Sequence, residues 1–129
     1  MLQEIIANKL EIDITELAQG DNLFIELTNK KTDVVLILFT NVGYRPLDQN
    51  STEFRKIRFQ ILVKGFGTVE ANNLSENIIS SLADLSGDHS DSEGKNYHVF
   101  NTEVVNGPIL IDRELPTYSV NFDIIVRFD

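Results

Sequence analysis

Between Thr117 and Phe128 apolar and polar side chains alternate almost without a break, and this run constrains the fold more than any other stretch of the sequence. Successive side chains of a strand point to opposite sheet faces, so Tyr118, Val120, Phe122, Ile124, Val126 and Phe128 form one row. A row of six apolar residues has to be covered. The chain is therefore expected to close on a core strand that completes the sheet of a compact unit.

The earlier segments carry their own periodicities. Leu2, Ile5, Ile6 and Leu10 recur at helical spacing, with Ile14 and Leu17 placed to add a turn before Gly20. Leu23, Ile25 and Leu27 alternate within residues 22–28, and the polar run 29–32 follows, which predicts strand, tight turn, strand. Residues 34–40 are almost wholly apolar or β-branched and suit a strand covered on both faces. Gly43, Pro46, Asp48, Asn50 and Ser51 make residues 41–53 read as a long exposed loop. Residues 54–64 return to alternation, with Ile57, Phe59, Ile61 and Val63 on one face and Arg58, Gln60 and Lys64 on the other.

The strongest helical pattern is Ala71, Leu74, Ile78, Leu82 and Leu85, with the Thr68 hydroxyl as expected cap. At roughly 25 cal/mol per Å² of buried apolar area, each large residue of that stripe contributes a couple of kcal/mol. Residues 86–96 contain no apolar side chain and are expected to be mobile. Tyr97, Val99, Val104 and Val105 predict a strand, residues 106–108 a turn, residues 109–111 a short extended piece, and Pro116 the start of the closing strand. These elements predict an α+β fold: one domain over residues 1–129, a twisted, mostly antiparallel sheet with an amphipathic helix on one face and a short N-terminal helix.

Composition removes whole classes of chemistry. With no cysteine there is no disulfide, thiolate metal site or thiol nucleophile. The longest apolar run, Val34–Phe39, is far too short to cross a bilayer, and the N-terminus lacks the basic start and small-residue cleavage site of a secretory signal, so a cytoplasmic product is expected. Eleven Lys and Arg against twenty Asp and Glu leave a net charge of −9, which repels phosphate backbones and argues against specific nucleic-acid binding.

Each cluster with chemical potential has a plainer structural reading beside it. Gly65 and Gly67 stand between a strand and a helix as in a phosphate-cradling loop, but Glu70 occupies the third glycine position and would repel phosphate. Asp88, His89, Asp91 and Glu93 form an oxygen-rich group without the spacing of a calcium loop, which reads as a solvated acidic loop. His98 is isolated, and two histidines without cysteine make a zinc site hard to build. Ser80, Ser81 and Ser119 lack a nucleophile elbow, and Asp112 and Glu114 flank Arg113 as a surface ion pair would. Arg55, Lys56 and Arg58, interleaved with Phe54, Ile57 and Phe59, form a basic cluster better suited to an interface than to nucleic acid, given the acidic total. No metal, cofactor or catalytic constellation is expected.

Several segments together resemble the tail terminator and minor capsid (tail completion) proteins of long-tailed phages. Val34-Val35-Leu36-Ile37-Leu38-Phe39-Thr40-Asn41-Val42-Gly43-Tyr44-Arg45-Pro46 looks like that family's strand running into a Gly-and-Pro loop. Arg58-Phe59-Gln60-Ile61-Leu62-Val63-Lys64-Gly65 is similar to its central strand, and residues 71–85 to its amphipathic helix. Gly107-Pro108-Ile109, Asp112-Arg113 and Ser119-Val120-Asn121-Phe122 look like its turn and closing strand. The short turn at residues 29–32 departs from the pattern.

The resemblance implies a non-enzymatic structural protein, made in the host cytoplasm and ending in the virion at the head-proximal end of the tail. Several copies, typically six, would form a homo-oligomeric ring that caps the tail tube and meets the head connector, with tail-tube and head-completion proteins as partners. Residues 43–53 and 87–96 would then contact sister subunits or the tube, with Tyr44, Arg45, Asp48, Arg55, Asp88, Asp91 and Glu93 as candidate contacts. The acidic excess would line a lumen past which DNA slides. A monomeric, non-enzymatic ligand-binding or regulatory module fits the same pattern of elements, because fold does not fix function. A small hydrolase is a third class, for which convergent His, Ser or carboxylate groups would be needed.

Overall fold

A computed structural model describes residues 1–39, 45–48 and 51–128, with side chains for 1–39 and 55–127. In chain order the elements are α1 (Leu2–Asp13), β1 (Leu23–Ile25), β2 (Val34–Phe39), β3 (Arg45–Asp48), β4 (Ser51–Lys64), α2 (Thr68–Ala83), β5 (Gly87–Ser90), β6 (Asn96–Asp112) and β7 (Thr117–Phe128). The strands form one seven-stranded sheet in the order β1-β2-β4-β7-β6-β5, with β3 paired to β4 beside β2. All pairs are antiparallel except β1 with β2. The fold is α+β, as the periodicities predict.

The closing run lies inside the sheet, between β4 and β6. Register places Ile57 opposite Ile124, Phe59 opposite Phe122 and Ile61 opposite Val120, and these inward residues are all buried. Phe59 and Phe122 stack with ring centroids 5.0 Å apart and an interplanar angle of 8°. Phe39, opposite Phe59 on β2, meets that ring edge-on at 6.4 Å. Both helices cover this face: Leu2, Ile5, Ile6, Ala7 and Leu10 of α1 join Ala71, Leu74, Ile78 and Leu82 of α2 in one buried cluster with the inner rows of β2, β4 and β7. α2 packs on β4 and β6, the strands that flank β7. Leu85 is buried just beyond the end of α2.

The sequence expectations need correction in several places. Residues 22–40 are not a hairpin, since β1 and β2 run parallel, with Leu23 opposite Val35 and Ile25 opposite Ile37. Glu26 and Asp33 take left-handed backbone angles, φ 67° and 55°, at the two ends of the connection. The expected loop at 41–53 contains β3, which pairs with the first half of β4 where β4 runs on past β2; residues 41–44, 49 and 50 lie outside the described residues. The segment 87–96 is ordered as strand β5, a turn and the start of β6. Its order comes from backbone pairing and polar anchoring, so counting apolar residues missed it.

Residues 106–108 do not turn. β6 continues through them with shifts of register against β7. Gly107, at φ 112°, brings the backbone so close to β7 that an added Cβ would lie 2.5 Å from the Ser119 carbonyl oxygen and 2.8 Å from Val120 Cα. At the start of α2 the cap is Gly67, with no side-chain capping bond, and Thr68 is the first helical residue. Ile14 and Leu17 are buried but lie beyond α1, because Ile14 turns extended and ends the helix.

Candidate functional site

The β5–β6 hairpin is built around Asp91. Its Oδ1 accepts the backbone N–H groups of Glu93 and Lys95, each at 2.9 Å. Its Oδ2 accepts the Met1 ammonium at 2.5 Å and the Tyr97 hydroxyl at 3.4 Å. The side chain is only 1 % exposed. The Met1 ammonium hydrogen bond, seconded by the two backbone N–H groups, holds the carboxyl down to about 2 against the opposing effect of burial. A polar loop with no apolar anchor is thus pinned to the start of α1, where Glu4 also accepts the Ser92 N–H at 2.8 Å.

The outer face of the sheet carries a polar stripe that alternation sets in register. Arg58 stands opposite Asp123 and donates from Nε at 2.8 Å and from Nη2 at 3.1 Å, and Lys56 Nζ lies 3.6 Å from the same carboxylate. The Arg58 hydrogen bonds, ahead of its charge, hold Asp123 below the usual carboxylate range and raise Arg58. Gln60 donates to the Ser119 hydroxyl at 2.6 Å one position along, and Asn121 donates to Asn106 on β6 at 2.6 Å.

The far half of β6 is different. β5 pairs with β6 only as far as Val99, and among the described residues no strand pairs with the outer side of β6 beyond it. There Val104, Val105, Ile109, Leu110 and Ile111 are 40–55 % exposed. Unpaired strand edges with apolar side chains are templates for further pairing.

The candidate contact residues are dispersed. Asp88 is exposed, and its Oδ1 lies 2.6 Å from His98 Nδ1, a hydrogen bond that lowers its pKa. Glu93 is exposed at the hairpin tip, whereas Asp91 faces inward, so the outward contact expected of it is replaced by a structural one. Arg55 is half-buried on the face of Ile57 and Phe59, opposite Val126. Arg45 and Asp48 lie on β3, opposite Lys56 and Ser51, and Tyr44 lies outside the described residues. His89 Nε2 lies 2.7 Å from the Leu85 carbonyl oxygen rather than among the acidic groups. Among the described residues no three His, Asp or Glu converge on a point that could hold a metal ion.

Sequence reasoning missed the two features that organise this half of the molecule. The Asp91 anchor had no signal beyond an acid in a polar loop. The exposed edge had none either, because Val104, Val105 and Ile109–Ile111 have the composition of a core strand.

Elsewhere, Gly65 is explained by packing. Its N–H donates to the Pro116 carbonyl at 2.7 Å, and a Cβ there would lie 2.5 Å from Thr32 Cα. A groove of about 330 Å³ beside α2 is lined by Leu17, Phe66 and Leu74 with Glu16, Asn22 and Asn77 among its polar groups. No helix among the described residues is long and apolar enough to cross a membrane. Compared with known proteins, the chain matches no family model and no curated sequence.

Proposed function

We propose that this chain is a structural assembly protein of a long-tailed phage, which self-associates into a ring that caps the tail tube and joins it to the head connector. The observation that carries the self-association is the row of exposed apolar residues on the unpaired half of β6, a surface that a solitary soluble domain has reason to avoid. The ring and the tail are supported by the resemblance of residues 34–46, 58–65, 71–85 and 107–122 to the tail terminator family. In this reading the protein is non-enzymatic and needs no cofactor. Its partners are sister copies, tail-tube protein and head-completion protein, and its place is the head-proximal end of the tail. The net charge of −9 suits a lumen past which DNA slides.

Light scattering coupled to size exclusion tests this, with the chain alone and with tail-tube protein. Masses at multiples of 14.6 kDa are expected, rising with concentration. A mass that stays at one subunit up to millimolar concentration, with and without tube protein, overturns the reading. The groove beside α2 favours the second reading, a monomeric ligand-binding or regulatory module. That reading predicts the single-subunit mass throughout.

A further inference from the structure

We infer that the groove between α2 and residues 16–22 receives an arginine side chain from a segment of another protein. The inference goes beyond self-association and holds for a solitary subunit as for a ring. Both walls of the groove are preformed. On one side Asn22 ties its own loop: its Nδ2 donates to the Glu16 carbonyl at 2.7 Å, and its Oδ1 accepts the Ala18 N–H at 2.7 Å. On the other, Glu70, Asn73 and Asn77 stand at i, i+3 and i+7 of α2 and so share one helix face. Leu17, Phe66 and Leu74 form the apolar floor between them.

Size, charge and geometry select the occupant. A space of about 330 Å³ lies at the lower end of ligand pockets and suits one or two side chains rather than a large cofactor. Its two ionisable groups, Glu16 and Glu70, are both carboxylates, and among the described residues no Lys or Arg lines it. The side chains of Glu16, Glu70, Asn73 and Asn77 are exposed and make no hydrogen bond or ion pair among the described residues. The neighbouring recess differs, because there Lys9 Nζ lies 2.9 Å from Asp13 and 3.7 Å from Asp84 and already meets the local charge.

A cation therefore complements the groove and not the recess. Carboxylates on both walls and amide oxygens beside them favour the five donors of a planar guanidinium over the three of an ammonium. The guanidinium face can lie on the Phe66 ring, with the methylene stem along Leu17 and Leu74. This chain is a poor source of that arginine. Of its arginines with described side chains, Arg58 is held by Asp123, Arg55 and Arg127 are also engaged, and Arg113 stands between Asp112 and Glu114, which the acidic rim repels.

NMR titration of the isotope-labelled chain with three probes tests the assignment. Acetyl-Leu-Arg-Leu-amide should shift the amide signals of residues 16–22 and 66–77, with half-saturation near the millimolar level that suits a single anchoring side chain. The citrulline counterpart, similar in shape but uncharged, should bind at least tenfold more weakly. Propylguanidinium, the side chain without the peptide, should do the same, because it lacks the leucines that extend over the apolar floor. Glu16→Gln and Glu70→Gln, at exposed positions, should each weaken the arginine peptide at least threefold while leaving Tm unchanged. Added salt should weaken it as well.

No shift in the groove with the arginine peptide at tens of millimolar, or citrulline binding as tightly as arginine, overturns the proposal. Equal affinity for propylguanidinium assigns the groove to a free guanidine and refutes the protein-borne occupant. Shifts of the same amides that grow with the chain's own concentration, before any peptide is added, place a sister copy there and refute it too. Subunit mass, by which self-association is judged, is read separately, so a failed titration leaves that reading standing.

Discussion

Removing the Phe59 ring should be among the most damaging single changes the core can suffer. The side chain is fully buried and occupies the middle of an aromatic ladder across three adjacent strands, stacked on Phe122 and met edge-on by Phe39. Loss of the transfer free energy of a buried Phe side chain costs about 1.5–3 kcal/mol. Each aromatic pair lost adds about 0.5–1.5 kcal/mol. These contributions total about 2.5–6 kcal/mol, and the usual range for buried Phe→Ala changes narrows the expected penalty for Phe59→Ala to about 3–5 kcal/mol. For a chain of 129 residues, an unfolding entropy near 2.1 cal/mol/K per residue converts this to a fall in Tm of roughly 11–18 °C.

Urea unfolding followed by far-UV circular dichroism measures the penalty directly, provided the slope with denaturant is unchanged. Phe122→Ala and the double variant complete a cycle, and the coupling should be about 0.5–1.5 kcal/mol. A penalty under about 2 kcal/mol for Phe59→Ala, or a coupling indistinguishable from zero, would mean that the stacking distance does not report a stabilising contact.

Acid should weaken the fold in a defined window. Asp91 and Asp123 have folded pKa values below those of the unfolded chain, Asp91 at about 2, so the unfolded state binds more protons there and stability falls as pH drops from about 4 toward 2; urea midpoints across that range should decline less steeply for Asp91→Asn than for the parent. Ile78→Asp, at a fully buried position of α2, should cost about 4 kcal/mol or more, while Val69→Asp, 73 % exposed on the same helix, should stay within about 0.5 kcal/mol in the same titration. Gly65→Ala and Gly20→Ala both force a side chain into left-handed backbone, but only at Gly65 does the new Cβ meet another backbone, so Gly65→Ala should be the worse by about 1–3 kcal/mol in thermal unfolding.

What the sequence revealed was whatever rests on apolar periodicity. The rows 57–63 and 118–126, the stripe from Ala71 to Leu82 and the N-terminal Leu2, Ile5, Ile6 and Leu10 all pack as their spacing predicts, because each is a local pattern read by a common core. The misses share a different cause. β1 lies parallel to β2 because two left-handed residues, Glu26 and Asp33, steer the connection, and neither is a glycine that would announce such a turn. β5 is held by backbone pairing and by one carboxylate that receives bonds from Met1, Glu93, Lys95 and Tyr97, a convergence that only three dimensions reveal. Pro108 suggests a break, yet it lies in a strand whose outer side has, among the described residues, no ladder to interrupt. The exposed edge of β6 was illegible as a surface because Val104, Val105 and Ile109–Ile111 have the composition of a core strand; their exposure follows from there being no neighbouring strand among the described residues.

The position of β7 shapes how the chain can be made. Arg58 and Asp123 are 65 positions apart in sequence yet directly opposed, and β4 meets β7 along the whole register from Phe54 to Lys64. During synthesis, β2, β4 and both helices emerge from the ribosome well before the strand that separates β4 from β6. Such remote pairing slows folding. A nascent chain therefore carries two unsatisfied strands on either side of a gap until residues 117–128 arrive, and a stop codon inside β7 yields a sheet with its middle missing.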